Sequence, residues 1–435
     1  MNIKRNTLTE VFGAPAGRDA QFLAETVLAS ADAAIPAALI HVAADDAALV
    51  RMAGALAFFA PAVEVLTFPA WDCLPYDRAS PGAETVSRRI ATLSTLAGKS
   101  NGKPRAMITT VDALIQRVPP PEAIVGTVFS LAKGGRVDLQ ALLAFLQSDG
   151  YHRADTVMEP GEYAVRGGIV DLYPAGEAAP IRLDLFGDEI ETLRAFDPST
   201  QRTTDTLDRL DLRPVSEVLL TPESIARFRE GYRELCGPGV DDPLYESISA
   251  GHRHAGLEHW LPLFHERLTT LLDYAPDAVV SFDPEIDAAR TARIEEIREY
   301  FDARADMAAR PGALTADAEP YRPLPPERLY LMDDPEWNAA LTARTRLAFS
   351  PFAAPGGRPN AIDAEGRIGR DFAEARVAPD INVLDAVKAR IGAERKAGRR
   401  TVIAAYSNGA RERIQHLLTE HGLHRLKPVA TWPDA

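Results

Sequence analysis

The stretch Val157 to Thr203, VMEPGEYAVRGGIVDLYPAGEAAPIRLDLFGDEIETLRAFDPSTQRT, reads as a small antiparallel meander. Gly167 to Tyr173 is expected as one strand, Pro180 to Phe186 as a second and Ile190 to Phe196 as a third. Pro174-Ala175-Gly176 and Gly187-Asp188 supply the turns. Side chains alternate across a sheet, so Ile181, Leu183 and Leu185 share an apolar face. Arg182, Asp184 and Phe186 share the other. Arginine beside an exposed aromatic is the usual chemistry of a protein-binding hot spot. Two other readings stay open: a helix covers this face as well, or Phe186 staples the strand end.

Upstream, Leu139, Leu142, Leu143 and Leu146 form a helical stripe within Val137–Gln147, closed by Asp149-Gly150. A helix on one face of three strands makes a small α/β unit whose opposite face is open to a partner.

The stretch resembles the UvrA-binding domain of bacterial transcription-repair coupling factors, a domain shared with the excision-repair protein UvrB. The residues carrying the resemblance are Gly161-Glu162-Tyr163, Arg166-Gly167, Asp171-Leu172-Tyr173-Pro174, Arg182-Leu183-Asp184, Phe186, Asp188-Glu189-Ile190, Phe196-Asp197 and Gln201-Arg202-Thr203. Weaker similarity extends over most of the chain. Phe68-Pro69-Ala70-Trp71-Asp72-Cys73-Leu74-Pro75-Tyr76-Asp77 is similar to the segment after the third strand in this family and in UvrB. In UvrB an aromatic-rich hairpin that probes damaged DNA follows nearby. Here only Gly82-Ala83-Glu84 separate Ser80-Pro81 from the helix expected over Thr85–Leu96, so that hairpin has no room. Gly256 to Phe264, GLEHWLPLF, also resembles the coupling factors.

The chain has 435 residues, 46% of them apolar and 25% charged, the composition of a soluble globular protein of several domains. A formal net charge of −14 disfavours nonspecific DNA binding by this chain alone. Two cysteines, Cys73 and Cys236, exclude a disulfide scaffold or a Cys-rich zinc site and suit a reducing cytoplasm. No run reaches the roughly 18 apolar residues of a membrane helix. The histidines are scattered, His252, His254 and His259 lying closest together with no matching ligands.

The N-terminal part alternates strand and helix: a helix from Asp19 to Ser30, a strand over Ala37–Val42, a helix capped by Asp45 and running to Phe59, a strand over Val63–Phe68, and another over Ala106–Thr110. This pace gives a parallel α/β layer. Gly13-Ala14-Pro15-Ala16-Gly17-Arg18-Asp19 stands where a phosphate-binding loop would open the first helix. Such a loop needs lysine for phosphate and a Ser/Thr hydroxyl for magnesium. This one has Arg18 and Asp19, and Asp19 puts negative charge where phosphate oxygens would lie. The loop therefore reads as a relic, with Gly13, Gly17, Arg18 and Asp19 as an inactive nucleotide loop. Gly98-Lys99-Ser100 mimics the end of a P-loop, but Leu93 stands where its first glycine belongs. Asp184, Asp188, Glu189 and Glu191 form an acidic cluster that reads as turn and strand ends, not a metal site. Arg88-Arg89 and Arg399-Arg400 read as helix-surface or salt-bridge residues.

Pro119 to Pro121 mark a boundary. Val215 to about Pro379 is helical and proline-punctuated, with helices over Glu223–Leu235 and Pro284–Ala303 and a loop over Pro351–Gly369. From Ile381 the pattern is helix Val383–Lys396, strand Thr401–Tyr406 and helix Gly409–His421. One strand cannot make a sheet, so this last unit is expected to be incomplete or to lean on its neighbours.

The resemblance implies an α/β chain in four parts: 1–128 and 214–379 as two halves of a degenerate RecA-like (P-loop NTPase-like) domain, 129–213 as the inserted UvrA-binding domain, and 380–435 as the start of a further α/β domain. It implies a non-catalytic, monomeric, cytoplasmic adaptor that recruits UvrA to RNA polymerase stalled at DNA damage. Arg166, Arg182 and Phe186 are the expected UvrA contacts, and no metal, cofactor or membrane is involved. RNA polymerase, double-stranded DNA, ATP and magnesium are implied for later domains of an ATP-driven translocase, before which this chain stops. The competing expectation is a self-sufficient ATPase or DNA-remodelling fragment related to UvrB.

Overall fold

The computed structural model describes residues 3–29, 38–125, 128–237, 242–309, 321–355, 358–377, 382–405 and 407–435. Expected positions at Ser30, Ala37 and Tyr406 lie outside them. The main layer is a seven-stranded sheet in the order Ala361–Asp363, Leu8–Phe12, Arg346–Phe349, Val279–Phe282, Ala38–Ala43, Arg105–Thr110 and Glu64–Phe68. Every neighbouring pair is parallel. The chain thus leaves this sheet after Thr110 and re-enters it at Val279.

A parallel sheet with both faces covered needs apolar residues at successive positions, and the strands supply them. Leu39, Ala106 and Ile108 enter one core with Phe22, Leu23, Val27, Leu49, Met52 and Leu56 from the helices Arg18–Ala29 and Asp46–Phe59. Their neighbours Ile40, Val42 and Met107 enter the opposite core with Ile90, Leu93, Trp260 and Ile297. Asp45 caps the helix 46–59, accepting the Ala48 N–H at 2.7 Å. Residues 69–82 carry turns and no strand before the helix Ala83–Ala97.

Between the two passes through the sheet lies a separate layer. Its sheet has six strands, in the order Thr203–Leu207, Glu189–Phe196, Ile181–Phe186, Ile169–Leu172, Glu162–Arg166 and His152–Arg153. The three-stranded meander expected from sequence is therefore its middle. Gly167 does not begin a strand. With φ +61° it forms, together with Gly168, the two-residue turn of a hairpin pairing Arg166 with Ile169. Thr203–Leu207 is polar up to its last residue, Leu207, which packs on the core, so it carries no alternation to betray it. The helix Leu139–Ser148, capped by Asp138, sets Leu142 and Leu146 against Val170, Leu172, Ile181, Leu183, Ile190 and Leu193. Entry strand Phe129–Ala132 and exit strand Arg209–Leu212 pair antiparallel with each other.

Two further expectations are corrected. Within the expected loop Pro351–Gly369, residues Ala361–Asp363 form an edge strand, held by pairing with Glu10–Phe12 that no local pattern announces. Thr401–Ala405 is not a strand, since among the described residues no segment pairs with it in a ladder. The flanking helices Val383–Lys396 and Asn408–Glu420 are present. Near the C-terminus, the Trp432 ring meets Phe59 at 5.3 Å and Phe58 at 6.3 Å, tying this end to the helix 46–59.

Candidate interaction face and the relict loop

The face of the six-stranded sheet turned away from the helix 139–148 is charged. Asp171 is wholly buried and lies directly opposite Arg182 on the next strand. Its Oδ1 accepts the Arg182 Nε–H at 2.7 Å, and its Oδ2 accepts from Arg182 Nη2 at 2.9 Å and Arg166 Nη2 at 2.6 Å. The Arg182 guanidinium also lies over the Phe196 ring, 4.8 Å from its centre. Only 18% of the Arg182 side chain remains exposed, against 52% for Arg166. The bonds to Asp171 hold the Arg182 guanidinium even more firmly protonated than usual. One step along the sheet, Asp184 accepts from Thr192 and Arg194. Burial pushes its carboxyl up, but those two donors outweigh it and hold it below its ordinary range.

Phe186 ends its strand, just before the turn at Gly187, and is 81% exposed. Neither a helix nor a strand-end contact hides it. The far end of the same face is closed, since Val157, Ala164 and Phe196 form a small buried cluster there with Tyr173 against it. Of the expected site residues, Phe186 and Arg166 are thus presented to solvent, while Arg182 is largely engaged within the chain. Asp171 was in the quoted motif without a role. Its signal was opposite charge at facing positions of adjacent strands, which becomes readable only once register is known.

The loop Gly13–Asp19 is filled from within. Asp19 Oδ1 accepts the amides of Gly17 and Ala20, each at 2.7 Å, and Asp19 Oδ2 pairs with Arg51 Nη1 at 2.9 Å. These are the N–H groups at a helix start that would otherwise attract an anion. The Arg18 Nε–H donates to Ala364 O at 2.8 Å, and the Gly366 N–H donates to Gly13 O at 2.8 Å. The 364–366 segment therefore lies across the loop, so close that a Cβ at Gly366 would stand 2.5 Å from Gly13 O. Sequence reading passed over Asp283, at the end of the strand 279–282. Its Oδ1 is 3.3 Å from His41 Nε2 and 3.9 Å from Arg51 Nη2, so Arg51 stands between two carboxylates. Among the described residues no group of three His, Cys, Asp or Glu could hold a metal ion. The acidic cluster 184–191 does not converge: Asp184 is committed to Thr192 and Arg194, and Glu189 and Glu191 are exposed. No helix among the described residues is long and apolar enough to cross a membrane.

The small sheet, with one charged face that ends in an exposed aromatic, thus lies between the chain's two passes through the larger parallel layer. Residues 129–217 match the family model of the UvrB interaction domain. The chain is also similar to proteins named transcription-repair-coupling factor. It is 37% identical over 289 residues to that of Haemophilus influenzae, covering 66% of this chain and 24% of the relative. It is 37% identical over 273 residues to that of Escherichia coli, covering 62% and 23%. For Bacillus subtilis the figures are 28% over 250 residues, 54% and 21%. The chain thus matches about a quarter of the length of these relatives.

Proposed function

We propose that this chain is a docking part of the machinery that couples stalled transcription to nucleotide excision repair, and that its six-stranded sheet recruits UvrA. The observation that carries this reading is Phe186, an exposed aromatic on the same sheet face as Arg182, in a segment that matches an interaction domain. Phe186 fills an apolar pocket on the partner, Arg166 pairs with a partner carboxylate, and Arg182 contributes its one exposed edge. An aromatic anchor and a charge-assisted bond at an interface are each worth about 2 kcal/mol or more. The chain acts by binding, as a monomer in the cytoplasm, and its Gly13–Asp19 loop takes no nucleotide. Contacts to RNA polymerase and double-stranded DNA, and ATP-driven translocation, are assigned to parts of a longer protein outside this chain.

The test is titration against purified UvrA. Arg166→Glu and Phe186→Ala are expected to weaken binding at least tenfold while melting like the parent, and unchanged affinity in both overturns the assignment. Calorimetry with ATP and magnesium addresses the competing ATPase reading. Heat of binding that disappears when the 13–19 loop is altered would favour it.

A further inference from the structure

We infer that Asp171 is the positioning residue of the docking face: buried beneath it, this carboxylate fixes the plane of Arg182 with two bonds and anchors one end of the Arg166 guanidinium with a third, aiming Arg166 at an acidic partner surface. The inference rests on the UvrA reading for the partner, but its physical core does not. One carboxylate receives bonds from two guanidinium groups, so the trio carries a net positive charge. The carboxylate is wholly covered, Arg182 is mostly covered, and the surplus charge emerges at Arg166, the most exposed of the three. Arg182 is held further by the fully buried Phe196 ring beneath its guanidinium. Asp171 in turn is held by its place opposite Arg182 in the strand ladder.

An unrestrained surface arginine would lose substantial rotamer freedom on binding, whereas one already ordered loses less. The geometry points to a partner presenting a carboxylate that meets the outer edge of the Arg166 guanidinium, next to an apolar pocket for Phe186. Charge alone would not need Asp171, but a planar, oriented fork does.

The experiment has two arms. In the first, backbone-independent NMR relaxation of the Arg166 Nε–H is compared between the parent chain and Asp171→Asn. Order in the parent and its loss in the variant are expected, and equal mobility in both overturns the inference whatever UvrA does. In the second, UvrA affinity is measured for the parent, Asp171→Asn, Arg166→Ala, the double variant and Arg166→Lys, with melting followed in parallel. Asp171→Asn and Arg166→Ala are each expected to cost about tenfold, and the double variant to cost no more than about twofold beyond either alone. Arg166→Lys sits on the surface and folds. It is expected to bind as poorly as Arg166→Ala, and affinity within about twofold of the parent would mean that charge, not orientation, matters, and would overturn the inference. If the parent itself does not bind UvrA while Arg166 is ordered only in the presence of Asp171, the partner assignment falls and the positioning role stands.

Discussion

Arg89 and Glu217 face each other with neither side chain exposed, joined by Nε to Oε1 at 2.5 Å and Nη2 to Oε2 at 3.2 Å. Arg89 belongs to the helix 83–97 beside the main sheet, and Glu217 ends the segment matched to the interaction domain. The rest of the guanidinium is satisfied too: Nη1 donates to Pro69 O at 2.8 Å, and the group stacks 4.1 Å from the centre of the Phe68 ring. Trp71 Nε1–H completes the carboxylate's set at 3.2 Å.

Removing one member of such a buried pair leaves the other charged and desolvated. Glu217→Ala is expected to cost about 3–5 kcal/mol, measured by denaturant unfolding. Arg89→Met combined with Glu217→Leu, which removes both charges, is expected to recover most of that loss.

Gly176 tests another contact of the insert with the body. Its φ is +81°, its N–H donates to Ser87 Oγ at 3.2 Å, and a Cβ there would stand 2.8 Å from the Ala91 Cβ. Gly176→Val is expected to destabilise by about 1–3 kcal/mol, through backbone strain and the forced displacement of the helix 83–97. Limited proteolysis should then cut faster near the entry and exit strands than in the parent. Equal cutting rates would show the contact to be energetically idle.

Asp19→Ala removes the carboxylate that caps the first helix and leaves Arg51 with only the more distant Asp283. A loss of about 1 kcal/mol in thermal unfolding is expected. No ATP binding should appear by calorimetry, since the 364–366 segment still crosses the loop.

His259 gives a pH signature. The ring is buried beside Trp71 and stacked near Tyr76, and neither nitrogen has a hydrogen-bond partner among the described residues. Burial lowers its pKa to about 4, with Asp77 opposing and Arg304 reinforcing the shift. The unfolded chain therefore takes up this proton first, near pH 6.5. Its contribution to stability is whole above that pH and is lost as pH falls toward about 4. The melting temperature of His259→Phe is expected to fall less steeply across this window than that of the parent. Parallel curves would remove His259 as the source.

How far the sequence carries can be judged from particular elements. Asp45 at its cap and the run Leu39-Ile40-His41-Val42 spell out a helix and a buried strand locally, so the parallel α/β layer was readable in advance. The same holds for the outward alternation of Arg182, Asp184 and Phe186. What stayed hidden depends on pairing between distant segments. Ala361–Asp363 is a strand only because Leu8–Phe12 lies beside it, and Thr401–Ala405 is paired with no strand among the described residues. Period two put Phe186 on the face opposite Leu183 and Leu185, but its exposure needed the structure to exclude a covering helix or strand-end contact, and the commitment of Arg182 to Asp171 required the register between two strands. Arg51 reaches both Asp19 and Asp283 across more than two hundred residues of sequence, and nothing local marks that meeting.

The antiparallel pair Phe129–Ala132 and Arg209–Leu212 brings the two ends of the insert within one strand spacing of each other. Ends so close together leave the main layer only a short gap to close, so the detour through the smaller sheet costs it little loop-closure entropy.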